Sequence, residues 1–313
     1  MNEFDIIRKY FVPLTQGHDD LKNDAATLQV LPGFDLIVTS DTSNAGTHFM
    51  ADATPENIAH KALRRNLSDL AAMGAKPLAY QLNIAFPEKP QKEWLLAFTK
   101  VLLADQEQFG IYCSGGDTTS INGPLSISIT ALGFVPTGKA LHRKGAQPGD
   151  HIILMGPVGD ALIGLRVLRK EIKTGHDDYF INAYYKPMPR TAIVEILREH
   201  AAAAIDISDG LVADLGHITE ASGCGAKITL TPGLFSANAV KTQIPAADLL
   251  TGGDDYELLL AVRPEKSASL IKTLTAQGLK PLKIGEFTSG QGVSVMDEKG
   301  VAIPLKNSGW THF

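Results

Sequence analysis

Two stretches of this chain alternate apolar and polar residues with a period of two, and that rhythm restricts the fold more than any other feature. Leu82, Ile84 and Phe86 alternate with Gln81, Asn83 and Ala85, while Leu125, Ile127, Ile129 and Ala131 alternate with Ser126, Ser128 and Thr130. Strands of this kind bury one face and leave the other to water or to a partner subunit. They belong to a mixed or antiparallel sheet, because the strands of a doubly wound parallel sheet are apolar throughout.

Helix signals surround them. Thr54 and Pro55 supply an N-cap and a proline at the first helical position, and Ala59, Leu63, Leu67 and Leu70 carry an apolar stripe toward Gly74. Asn66 and Asp69 lie three apart, hence on one face of that helix. Trp94, Leu95, Phe98, Val101, Leu102 and Phe109 mark a second amphipathic helix. It leads into a short strand, Ile111 to Ser114, and then Gly115-Gly116-Asp117-Thr118-Thr119. Upstream, Leu36-Ile37-Val38 predicts a buried strand ending at Thr39-Ser40-Asp41-Thr42.

A chain of 313 residues exceeds the roughly 100–150 residues of an ordinary single core, so two globular units are expected. The polar, glycine- and proline-bearing stretch from His142 to Asp150 is the candidate linker, dividing 1–141 from 142–313. A second α/β unit follows it, with a strand Ile152 to Met155 and a helix from about Thr191 to His200. A strand Ala204 to Ile207 then runs into Ser208-Asp209-Gly210, and a helix runs from Leu211 to Gly223. The run Ala201 to Ala204 reads as a helix end. The expected class is α/β of the α+β type.

Hydrophobic residues make up 44% and charged residues 20%, ordinary globular chemistry that argues against disorder. No apolar run reaches the roughly 18 residues of a spanning helix, and Met1 to Tyr10 has no signal-peptide core, so a cytosolic protein without a membrane partner is expected. Cys113 and Cys224 form no CxxC or Cys/His pattern, which suggests neither a disulfide framework nor zinc. A net charge of −5 without a basic run argues against nucleic acid.

The acids carry the functional signal. Asp24, Asp41, Asp69, Asp117 and the pair Asp206 and Asp209 each stand amid glycine, serine, threonine or other small residues at an element's edge. Singly, each reads as an Asx-turn or a cap. Gathered together they would need cations, since two carboxylates about 4 Å apart repel by roughly 4 kcal/mol at an effective dielectric of 20. With hard oxygen ligands alone the cation is Mg²⁺ or Mn²⁺, which leaves positions open for phosphate oxygens, and a turn at Gly115-Gly116 would bare N–H groups toward phosphate. Acids, metals and one arginine suffice for phosphoryl transfer, which needs positioning and charge neutralisation. The chain has no GxxxxGK[ST] and no protein-kinase motif set, and Gly156 to Gly159 is a lone GxxG.

Taken in order, Asn23-Asp24-Ala25-Ala26, Thr39-Ser40-Asp41-Thr42, Ala45 to Phe49, Asn66-Leu67-Ser68-Asp69-Leu70-Ala71-Ala72-Met73-Gly74-Ala75 and Gly115 to Thr119 resemble the thiamine-monophosphate kinase family. So do Leu141-His142-Arg143, Pro148-Gly149-Asp150, Asp206 to Leu211, Gly252-Gly253-Asp254-Asp255-Tyr256-Glu257-Leu258 and Gly309 to Phe313. The resemblance implies an N-terminal domain whose sheet pairs with that of a second subunit in a homodimer, and a C-terminal α/β domain completing the active site. It implies several Mg²⁺ ions on Asp24, Thr39, Ser40, Asp41, Asp69, Asp117 and Asp206, with Asp209 close to a further ion. ATP would meet Gly116, Asp117, Arg143 and Ser208, and thiamine monophosphate would meet His48, Glu257 and Trp310. One departure is Lys22-Asn23-Asp24, where many family members carry Gly-Asp-Asp.

The same superfamily also holds purine-synthesis ligases and selenophosphate synthetases. The Gly252 to Leu258 and Gly309 to Phe313 segments resemble the kinase instead, and no cysteine stands near the N-terminus where a selenophosphate synthetase needs one. A non-catalytic thiamine-phosphate or nucleotide binder is the alternative of a different class. The retained aspartates argue against it.

Overall fold

A computed structural model of the chain describes residues 3–16, 31–305 and 307–310. The expectations at Asp24 and at Thr311 to Phe313 fall outside those residues. The chain forms two compact units, one of residues 1–70 and 75–139, the other of 71–74 and 140–313.

The first unit opens with a short helix α1 (Glu3–Ile6) that continues as a π turn to Phe11 and a 3₁₀ turn to Thr15. Ile6, Tyr10, Phe11 and Leu14 are buried there. Strand β1 (Phe34–Asn44), helix α2 (Pro55–Ala72), β2 (Lys76–Phe86), α3 (Lys92–Phe109), β3 (Tyr112–Ser120) and β4 (Ser126–Pro136) follow. The strands form a mixed sheet in the order β1-β4-β2-β3, in which only β2 and β3 run parallel. This is the mixed sheet that the period-two alternation requires. Leu82, Ile84, Phe86, Ile127, Ile129 and Ala131 are buried on one face, and Gln81 and Asn83 are exposed on the other.

Both helices begin and end where their punctuation says. Asn57 N–H donates to Thr54 Oγ1 at 3.4 Å in the first turn of α2, and Gly110 takes the left-handed conformation that closes α3. Tyr80 O–H lies 2.9 Å from Gln106 Nε2, which also donates to the Leu14 carbonyl, so one amide ties β2, α3 and the N-terminal turns together. Leu95, Phe98 and Leu102 are buried on α3, each worth about 1.5–3 kcal/mol of transfer free energy.

Three local expectations are corrected. The run Leu36-Ile37-Val38 is not a buried strand end, because β1 continues through the polar cluster to Asn44 and alternates by face, with Leu36, Val38 and Ser40 on the outer face and Val38 57% exposed. Gly115-Gly116 is no turn. Both glycines lie inside β3, beside a register shift in its pairing with β2, and a Cβ on Gly116 would fall 1.9 Å from the Leu82 carbonyl oxygen. Only glycine fits there. The alanine run is strand rather than helix end, since the chain passes from helix to strand directly at Ala201.

The second unit contains β5 (His151–Leu154), α4 (Asp160–Leu168), α5 (Asp177–Tyr185), α6 (Val194–His200), β6 (Ala201–Asp206), α7 (Leu211–Ser222), β7 (Gly225–Thr229), α8 (Ala237–Lys241), α9 (Ala246–Thr251), β8 (Leu258–Val262), α10 (Pro264–Ala276), β9 (Leu282–Thr288) and β10 (Gly292–Met296). Its six strands lie in the order β10-β7-β9-β5-β8-β6. Central β8 is buried along its whole length. One core holds Ile152, Leu154, Ile205, Leu215, Ile228 and Phe287, and another holds Ile153, Leu197, Leu258, Leu260, Leu270 and Leu274. Alternate residues of β5, β6 and β8 thus serve two cores, as a sheet with helices on both faces demands. Among the described residues no helix is long and apolar enough to cross a membrane.

Candidate active site

In the first unit, the alternation of β1 sets Thr39, Asp41 and Ser43 on the face turned toward α2. Thr39 Oγ1 donates to Asp69 Oδ2 at 2.6 Å, joining the strand to the helix. One turn earlier on α2, Arg65 Nη1 donates to Ser43 Oγ at 2.9 Å and Nη2 stands 3.6 Å from Asp41 Oδ1. Two carboxylates, two hydroxyls and a guanidinium therefore share one region. Their oxygens are the hard donor set that Mg²⁺ takes, and Zn²⁺ or copper would ask for sulfur or imidazole.

Ser40 faces the other way, its hydroxyl 3.0 Å from that of Thr130. Asp117 lies on β3, beside exposed Asn83 in the register. β3 and β1 are the two edges of the sheet, three strand spacings or roughly 14 Å apart. The unit thus brings Thr39, Asp41 and Asp69 together and keeps Gly116 and Asp117 on the far edge. His48 follows β1. Its Nδ1 accepts from Asn44 N–H at 3.1 Å, which fixes the neutral tautomer with its proton on Nε2.

The second unit holds Asp206, Ser208, Asp209, Glu257 and Trp310 around the turn that follows β6, whereas the Arg143 carbonyl accepts from Ser222 Oγ at the other end of α7. Asp206, buried, ends that strand, and the backbone of Ile207 to Gly210 is satisfied group by group. Ile207 N–H donates to the Glu257 carbonyl, and the carbonyls of Ile207, Ser208 and Asp209 accept from the N–H groups of Tyr256, Asp254 and Trp310. The N–H groups of Ser208, Asp209 and Gly210 converge on a single oxygen, Asp214 Oδ2, at 3.0, 3.0 and 3.1 Å, and the Gly210 carbonyl accepts from Asp214 N–H. Burial pushes the Asp214 carboxyl up to about 7, against the pull of those N–H groups and with a further push from Asp209. Asp209, Asp214 and His217 each offer one ligand atom within 4.8 Å of the others.

The two glycines that open the Gly252 to Glu257 segment bracing this turn pack without room for side chains. A Cβ on Gly253 would sit 2.3 Å from the Ser208 carbonyl oxygen. Asp254 and Tyr256 have φ of 72° and 50°, a conformation unusual for residues with side chains and often found at functional sites. Asp255 accepts from Gly159 N–H at 2.8 Å and Ala161 N–H at 3.3 Å and so holds the start of α4. Glu257 receives Arg190 in a two-point ion pair, with Nε 2.9 Å from Oε2 and Nη2 on Oε1. Burial leaves the Glu257 carboxyl above its ordinary value, with Arg190 offsetting only part of the rise. Arg143 is exposed, and Trp310 is 54% exposed.

Sequence reasoning did not find Arg65, Arg190 or Asp214. Arg65 carried a signal, four residues before Asp69 on the same helix face. So did Arg190, whose approach through Pro187-Met188-Pro189 fixes an extended segment. Asp214 carried the weakest, an acid in the first turn of a helix.

The AIR synthase related protein N-terminal domain matches residues 22–135 and its C-terminal domain residues 147–298. A thiamine-monophosphate kinase of Caulobacter vibrioides is 39% identical over 99% of this chain and 90% of its own length. That of Escherichia coli strain K12 is 37% identical over 99% and 98%. The crystal structure of thiamine-monophosphate kinase from Stenotrophomonas maltophilia is similar with a TM-score of 0.84 at 37% identity, covering 97% of this chain and 98% of that one. A structure described as AaThiL complexed with AMPPCP and TMP is similar with a TM-score of 0.78 at 27% identity, covering 99% and 97%.

Proposed function

Because the chain belongs to the thiamine-monophosphate kinase family within the AIR synthase related proteins, we propose that two of its carboxylates, Asp41 and Asp69, hold Mg²⁺ for the family's reaction. The chain is an ATP-dependent enzyme that phosphorylates thiamine monophosphate to thiamine diphosphate. The observation that carries the metal assignment is the Thr39–Asp69 bond beside Asp41, an all-oxygen donor set. Asp206 and Asp24 are assigned to metal as well, with Asp209 near a further ion. Ser40 joins them through its carbonyl, since its hydroxyl faces Thr130. The separation of β1 from β3 calls for more than one ion, with Asp117 serving an ion on its own edge.

Bound Mg²⁺ supplies neutralisation of the charge on the transferring phosphoryl group. The chain's own residues bind and orient. Gly116, Asp117, Arg143 and Ser208 are assigned to ATP, while His48, Glu257 and Trp310 are assigned to thiamine monophosphate. His48, whose Nδ1 accepts from Asn44 N–H, offers its imidazole ring, and Trp310 offers an indole face. A phosphate oxygen of thiamine monophosphate attacks the γ-phosphorus in line, the bond from that phosphorus to the β,γ-bridging oxygen breaks, and ADP leaves with the electron pair. No phosphoenzyme forms, because the acceptor phosphate is itself the nucleophile and no activated Ser, His or Asp nucleophile with a paired base stands among the assigned residues.

The exposed β1 residues Leu36 and Val38 support a homodimer formed by this sheet. Incubation with ATP, Mg²⁺ and thiamine monophosphate, followed by detection of thiamine diphosphate and ADP in equal amounts, tests the reaction. ADP without thiamine diphosphate would refute it.

A further inference from the structure

We propose that Asp214 is a positioning residue, which locks the Ser208-Asp209-Gly210 turn so that its side chains, and none of these N–H groups, are set to meet ATP and metal. The proposal rests on the assignment of Ser208 to ATP and of Asp209 to a metal.

A run of three N–H groups that converge on one point forms a concave anion site, the arrangement by which many loops hold phosphate. Here the anion is the chain's own carboxylate. Asp214 is 2% exposed, and its Oδ2 takes all three donors, so these amides are unavailable to a nucleotide. The remaining backbone groups of Ile207 to Gly210 are spoken for by Asp254, Tyr256, Glu257, Trp310 and the Asp214 amide. A turn whose four N–H groups are all engaged has no spare backbone donor to offer a phosphate. Its chemistry toward a ligand is therefore that of the Ser208 hydroxyl and the Asp209 carboxylate, held at fixed angles. Gly210, at φ 124°, supplies the backbone conformation that lets the third N–H turn inward.

A carboxylate accepting three N–H groups is not replaced by an amide at full strength, because hydrogen bonds to a charged acceptor are roughly twice as strong as neutral ones. Asp214→Asn keeps shape and one acceptor oxygen, whereas Asp214→Ala keeps neither. Titration of AMPPCP with Mg²⁺ is expected to show affinity about tenfold weaker for Asp214→Asn and about a hundredfold weaker for Asp214→Ala. Amide hydrogen exchange is expected to speed up at Ser208, Asp209 and Gly210 in both variants, while protection in β6 and α7 persists.

Wild-type affinity in Asp214→Ala would overturn the proposal. Loss of protection throughout β6 and α7 in both variants would also overturn it, since Asp214 would then hold the fold rather than the turn. Asp209→Asn in the same titration separates the premise from the inference. If it binds AMPPCP and Mg²⁺ as the wild type does, the assignment of the turn to the ligand fails, and the exchange rates still report whether Asp214 holds the turn.

Discussion

Arg65 Nη2 stands 3.6 Å from Asp41 Oδ1, so a carboxylate assigned to metal already has a cation of its own chain beside it. A Mg²⁺ bound to Asp41 at about 2 Å would lie roughly 6 Å from that guanidinium. At an effective dielectric of 20–80 the repulsion is about 1–5 kcal/mol, and a mobile side chain and salt bring it toward the lower end. Arg65→Gln is therefore expected to bind Mg²⁺ about tenfold more tightly and to gain more melting temperature from added Mg²⁺ than the wild type gains. Calorimetric titration checks this. Weaker binding by the variant would mean that the guanidinium, through Ser43, supports the metal site instead.

Asp41→Asn and Asp69→Asn are expected to abolish thiamine diphosphate formation while leaving the melting temperature near that of the wild type. Removal of like charge relieves repulsion, and neither carboxylate is deeply buried. Asp117→Asn, on the other edge strand, should behave the same way. If these variants unfold readily with and without Mg²⁺, the carboxylates serve the fold and the metal assignment fails.

Trp310→Ala preserves the backbone bond to the Asp209 carbonyl and removes only the indole. A cationic thiazolium over that ring is worth about 0.5–2 kcal/mol, so affinity for thiamine monophosphate should fall by roughly twofold to thirtyfold with ATP affinity unchanged. Separate titrations of the two ligands read the difference. Equal losses for both would assign Trp310 to the turn rather than to the substrate.

Asp105 joins α2 to α3 through Arg64 Nε at 2.9 Å, Arg64 Nη2 at 2.7 Å and His60 Nδ1 at 3.0 Å. Burial pushes its carboxyl up, yet the bonds from His60 and Arg64 together outweigh burial and leave it below its ordinary value. A carboxyl depressed in the folded state adds stability above its unfolded value, about 3.9, and loses it as pH falls through the lower folded value. Asp105→Asn should cost about 3–5 kcal/mol at pH 7 by stranding Arg64, and the gap should narrow below about pH 4. Urea unfolding of both proteins at the two pH values measures it.

Val38 is 57% exposed on an edge strand. Light scattering is expected to give about twice the chain mass for the wild type and a smaller mass for Val38→Asp. A fully active monomeric wild type would remove the homodimer.

What was legible in the sequence followed from short-range repetition. Leu82, Ile84 and Phe86 repeat within a few residues and announce their own strand, and Thr54 with Pro55 announces its own helix. Val38 looked buried because its neighbours are apolar, yet it lies with Ser40 and Thr130 on the outer face of the sheet, a placement decided by pairing with residues 126–136. Gly116 looked like a turn, since the sequence does not display the Leu82 carbonyl that excludes a side chain. The acids were visible one at a time. That Asp41 and Asp69 approach and Asp117 does not is a matter of strand order, and Glu257 meets an arginine 67 positions away.

Asp209 leaves the ribosome 101 residues before Trp310, whose amide completes the hydrogen bonding of its carbonyl. Synthesis at about 5–20 residues per second places some 5–20 seconds between the two. During that interval β6 and α7 have emerged, while the turn between them still lacks the brace at Asp254 to Glu257 and then the amide of Trp310. A nascent chain thus carries its acidic turn unfinished until Trp310 has been made, and a translation product cut short before it would carry the carboxylates without the frame that aims them.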